Sequence, residues 1–77
     1  MINNIRKYRN SLNYTLAGLA DMAGTTKSYI SELEAGRSVP NVRLAYSISK
    51  ALQQDVHEVF PDDQEYQEVI IKSVAVK

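Results

Sequence analysis

Few side chains in this sequence combine in ways that support covalent or metal chemistry. His57 is the one histidine; it stands beside Glu58, and the chain has no cysteine, so no second imidazole and no thiolate completes a metal or nucleophile site. Asp62, Asp63 and Glu65 could hold a cation, yet they lack the glycine and the ligand spacing of a calcium loop and read as a solvated linker. No metal, cofactor or enzymatic reaction is expected. The polar chemistry gathers instead in "TTKSYISELEAG", Thr25 to Gly36, which is apolar at Ile30 and Leu33, polar over most of the rest, and closed by a glycine. Such a segment docks by one face and offers hydrogen-bonding groups from the other.

That segment has to be held by its neighbours, and the punctuation of the chain says how. Asn3 or Asn4 can cap a first helix with Ile5, Tyr8 and Leu12 on one face, stopped at Asn13, a residue that tolerates the left-handed conformation. Thr15 caps a second helix, "LAGLADMA", with Leu19, Ala20 and Ala23 inward and Gly24 as its stop. A turn through Ala23, Gly24 and Thr25 leads to a third helix capped by Thr26 and ended by Gly36. Pro40 breaks the chain, Asn41 caps a fourth helix over "VRLAYSISKALQQ" with Val42, Ala45, Ile48, Ser49 and Leu52 inward, and Asp55 caps a last turn from Val56 to Phe60 before Pro61.

The remainder is different in kind. "PDDQEYQ" is an acidic connector, and "EVIIKSVAVK" is rich in β-branched residues without helical period, so it reads as a strand that must pair with something. Seventy-seven residues suit one small domain near the lower size at which a core suffices without staples. We expect residues 1–61 to form that domain and residues 62–77 to form an acidic linker and strand arm. No apolar run nears the roughly 18 residues of a membrane span, and the N-terminus lacks a signal-peptide core, so a soluble, intracellular protein without a membrane partner is expected. The zero net charge conceals a gradient: residues 1–43 carry +3 and residues 44–77 carry −3. A basic front with an acidic back suits an anionic partner on one side.

A helix, a short turn and a second, outward-presented helix make the helix-turn-helix plan. With Arg9, "TLAGLA", "YISELEAG", "PNVRLAYSISKAL" and "DVHEVF", the chain over Ile5 to Phe60 resembles the Cro and phage-repressor type helix-turn-helix family, also called XRE. The resemblance implies an all-α, five-helix lambda-repressor-like helix-turn-helix domain, here followed by a C-terminal β-strand arm. It also implies a DNA-binding transcriptional regulator of phage or bacterial origin, a repressor acting in the cytoplasm at the nucleoid of a bacterial cell. Double-stranded DNA is the partner and an inverted-repeat operator, bound by a homodimer through the major groove, is the target.

Family positions carry over residue by residue. Lys27, Ser28 and Glu32, with Ser31, occupy the base-reading places: lysine donating to guanine, serine serving either base, glutamate accepting from cytosine N4. Lys27 and Glu32 pairing with each other on the helix surface is the alternative, contributing about 0.2–0.5 kcal/mol. Thr15 and Leu16, at the start of the second helix, fall on the first backbone clamp and Arg37, Ser38, Asn41 and Arg43 on the second, an ordinary solvated loop being the alternative for the latter, while Thr26 and Tyr29 are further expected DNA-backbone contacts. Leu16 stands where relatives often carry a glutamine that touches phosphate, Gly18 where they carry glutamate, and Gln53 where glycine is common, so a less sharp end to the fourth helix is expected. Arg9 and Glu34 are implied to form a partly buried ion pair joining the first helix to the third. Val69, Ile70, Ile71, Val74 and Val76 would pair across the two-fold axis of a dimer. Two further readings stand beside the repressor: an antitoxin whose tail binds a toxin partner while its helical domain autoregulates the promoter, and the controller protein of a restriction-modification system.

Overall fold

The structure, a computed structural model, describes residues 3–61. Five helices follow in order: α1 (Ile5–Ser11), α2 (Leu16–Ala23), α3 (Lys27–Glu34), α4 (Val42–Ala51) and α5 (Val56–Val59). The described residues are all-helical. The strand arm and its residues Val69, Ile70, Ile71, Val74 and Val76 lie outside them.

Each helix after the first starts on a side-chain cap. The oxygens of Thr15, Thr26, Asn41 and Asp55 accept from the backbone N–H groups of Gly18, Tyr29, Leu44 and His57, satisfying donors that have no partner inside the helix. For α1 the capping oxygen comes from further out: Asn4 is the N-cap but its side chain makes no capping bond, and Asn3 Oδ1 accepts from Ile5 N instead.

Four helices stop by one device. A residue in the left-handed conformation follows α1, α2, α3 and α4, namely Asn13, Gly24, Gly36 and Gln53. In each case two backbone bonds turn back onto the last turn, for example Thr25 N to Ala20 O at 2.9 Å and Gln54 N to Ser49 O at 3.0 Å. The turn between α2 and α3 is therefore Gly24, Thr25 and the cap Thr26; Ala23 closes α2, as the extent "LAGLADMA" predicts, and is not part of the turn. The end of α4 is sharp despite its glutamine, because Gln53 takes the left-handed conformation itself, at φ 58°. This corrects the expectation of a blunted end and shortens the fourth helix to Ala51.

The inward stripes meet in one core. Ile5, Leu19, Ile30, Leu33, Ile48, Leu52, Val59 and Phe60 are fully buried, and Tyr8, Leu12, Tyr14 and Val42 pack partly buried around them. Helix α2 is clamped between α3 and α4, α5 closes on α4, and α1 leans on α3. Ser49 is the one buried polar residue among those described, and its hydroxyl donates to Ala45 O at 2.8 Å. No helix of the described residues is long and apolar enough to cross a membrane.

Candidate nucleic-acid interface

Helix α3 is held from three sides, and this decides which face it presents. Ile30 and Leu33 lock its inner stripe into the core. Asn3 Nδ2 donates to Leu33 O at 2.7 Å, tying the start of the chain to the end of the helix. Glu34 is the third anchor. Its carboxylate, with the side chain only 2% exposed, accepts from Arg9 Nε at 2.7 Å and Nη2 at 3.2 Å, the two-pronged geometry that suits guanidinium to carboxylate. Arg9 Nη1 donates at 2.9 Å to Tyr14 O, so one guanidinium joins α1, the loop before α2 and the end of α3. Arg6 adds a contact at 3.1 Å from its Nε to Glu34 Oε1 while remaining largely exposed. Sequence reasoning had not included Arg6 here, although its place three residues before Arg9 put it on the same helix face.

The outward face is left polar. Lys27, Ser28 and Ser31 are exposed, and none of these three side chains makes a hydrogen bond or ion pair among the described residues. Glu32 is half-buried and its ion pair is with Arg37, at 3.7 Å, rather than with Lys27. The reason is register: five residues apart, Lys27 and Glu32 are not the neighbours, three or four apart, whose side chains meet on a helix surface.

The clamp residues expected from the sequence divide by what already engages them. The hydroxyls of Thr15 and Thr26 and the amide oxygen of Asn41 are spent on capping. What they offer outward is the positive end of α2, α3 and α4, with its unpaired N–H groups. Leu16 packs its side chain partly buried against the core, so that what it offers at the start of α2 is its backbone N–H. Tyr29 also packs against the core by its ring. Arg37 and Arg43 are exposed, Ser38 is half-buried, and Asn41, Arg43, Leu44 and Ser47 face Gly24 and Thr25 across a shallow, mainly polar groove. Among the described residues no three His, Cys, Asp or Glu side chains gather as a metal site.

A helix-turn-helix family model matches residues 5–59, the whole span from the first turn of α1 to the end of α5. The chain belongs to the XRE-type helix-turn-helix family. Relatives of this helix-turn-helix chain include the transcriptional regulator SinR of Bacillus subtilis, 32% identical over 79% of this chain and 56% of SinR, and SinR of Bacillus licheniformis, 34% identical over 80% and 59%. The chain thus spans little more than half the length of those relatives. A transcriptional regulator of Methanothermobacter thermautotrophicus is 36% identical over 79% of this chain and 90% of its own. Among solved structures, the N-terminal DNA-binding domain of Bacillus subtilis SinR superposes with a TM-score of 0.69 at 32% identity, covering 79% of this chain and 88% of that one. A complex of SinR with SinI gives 0.72 at 27% identity, covering 92% and 75%. The family and these relatives are transcription regulators, not enzymes.

Proposed function

We propose that this chain is the DNA-reading domain of a transcriptional repressor that binds an inverted-repeat operator as a homodimer. Helix α3 lies in the major groove, where Lys27, Ser28, Ser31 and Glu32 meet base edges. Backbone phosphates are held by the N-termini of α2 and α3, at Thr15, Leu16, Thr26 and Tyr29, and by Arg37, Ser38, Asn41 and Arg43. Residues 69–76, apolar and β-branched, join the two copies and set α3 of each at half-sites about 34 Å apart.

One observation carries the reading: α3 has its apolar stripe sealed in the core and three unengaged polar side chains, Lys27, Ser28 and Ser31, on its outer face. A helix used only for packing has no need of a rigid, triply anchored polar face. Selection of duplexes from a random pool at a stated salt concentration, followed by fluorescence anisotropy on single-base-pair variants, tests it. Lys27→Ala is expected to relax discrimination at one base position by about 1–3 kcal/mol. Uniform weakening across all sequences would make Lys27 a phosphate contact instead.

A further inference from the structure

Glu32 poses an electrostatic problem for that interface. A carboxylate on the outer face of a helix placed between two phosphate backbones is repelled by both, and its side chain, 44% exposed, has the freedom to swing away. The stop of α3 supplies the answer. Gly36, at φ 78°, folds the chain back so that Arg37 N donates to Glu32 O at 3.0 Å. That bond sets the Arg37 backbone against the last turn of α3, and the Arg37 guanidinium reaches Glu32 Oε1 at 3.7 Å. An exposed pair of this kind contributes little to folding, and α3 is already anchored by Ile30, Leu33 and Glu34. Its consequence lies outward. Arginine has five N–H donors, so one edge can face the Glu32 carboxylate while the others remain for a phosphate oxygen.

The geometry points to Arg37 as a positioning residue that holds Glu32 over the outer face of α3 as an acceptor for the exocyclic amino group of a cytosine, thereby setting a C·G pair in the bound duplex. This rests on the major-groove reading above. Cytosine is the base whose major-groove edge offers only that donor, and a carboxylate, having no donor of its own, is refused by the acceptors of guanine and thymine. Without Arg37 the carboxylate is left facing phosphates alone and gives up the contact.

The test uses the full chain and the duplex selected by the wild type. All four base pairs are placed at each position in turn, and dissociation constants are measured at fixed salt for the wild type, Glu32→Ala, Arg37→Ala, Arg37→Lys and the double variant. Circular dichroism melting of each variant accompanies the titrations. At one C·G position Glu32→Ala and Arg37→Ala are expected to lose the same discrimination, roughly 5- to 150-fold, with the double variant no worse than either. Arg37→Lys, which keeps the charge, retains part of it, and all melting temperatures stay close to the wild type. Discrimination intact in Arg37→Ala, with uniformly weaker binding and a salt slope smaller by about 1, would make Arg37 a plain phosphate contact and overturn the proposal. Glu32→Ala with full discrimination at every position would also overturn it. A wild type that selects no duplex at all is a different failure, that of the DNA-reading function itself.

Discussion

Replacing Arg9 by alanine should unfold this domain more effectively than removing any other charged group described above. The Glu34 side chain is 2% exposed and that of Arg9 13%, so the pair sits almost wholly out of water. Deleting one member of such a pair strands the other, at a cost of roughly 3–5 kcal/mol. Arg6 remains 3.1 Å from Glu34, but its side chain is 67% exposed and screened, so it offsets only a small part. The lost bond from Arg9 to Tyr14 O adds about 1 kcal/mol. A domain this small has about 5 kcal/mol or little more in hand, and each kilocalorie moves the melting temperature by about 4–8 °C. Arg9→Ala is therefore expected to melt at least about 15 °C lower, or to be unfolded at room temperature. Urea titration followed by far-ultraviolet circular dichroism reads this directly, with Arg6→Ala as the control expected to cost under about 1 kcal/mol. An Arg9→Ala protein with an unchanged midpoint but no DNA binding, or an Arg6→Ala protein as damaged as Arg9→Ala, would refute the reasoning.

Other expected outcomes follow from single features of the fold. Gln53→Gly should raise the urea midpoint by an amount equivalent to about 0.5–1 kcal/mol, because Gln53 holds φ at 58° with a side chain that disfavours it. Leu33→Ala, which empties a fully buried site beneath α3, should lose about 2–5 kcal/mol in the same titration. Ending the chain after Pro61 should give a folded monomer by analytical ultracentrifugation, with weakened operator binding; a truncated form that stays dimeric would remove residues 69–76 from the dimer.

What the sequence made legible was what physics keeps local. Thr15, Thr26, Asn41 and Asp55 were readable as caps because each side chain bonds a backbone group two or three residues away. Asn13, Gly24 and Gly36 were readable as stops because their types tolerate the left-handed conformation. Gln53 was not, since nothing in a glutamine announces it; the bonds from Gln53 N to Lys50 O and from Gln54 N to Ser49 O impose it. Distant contacts were silent for a similar reason. Asn3 meets Leu33, 30 positions on, and Asn4 meets Glu58, 54 positions on, and Val59, and only the packed fold brings them together. In the candidate interface the polar face of α3 followed from periodicity, whereas the partner of Glu32 depended on the backbone reversal at Gly36 that carries Arg37 back to it. The packing of Leu16 against the core depended on how α2 rolls between α3 and α4.

The bond from Asn4 N to Val59 O, 2.8 Å long and backed by Asn4 Nδ2 to Glu58 O at 2.9 Å, places the two ends of the described fold side by side. The polypeptide from residue 3 to residue 61 is thus nearly a closed ring, cut at one corner. A short bridge across that corner would let the same core form from a new starting point, such as the exposed Val39 in the loop before α4. By the same geometry the domain could be spliced as a cartridge into a surface loop of another protein, entering and leaving at almost one point.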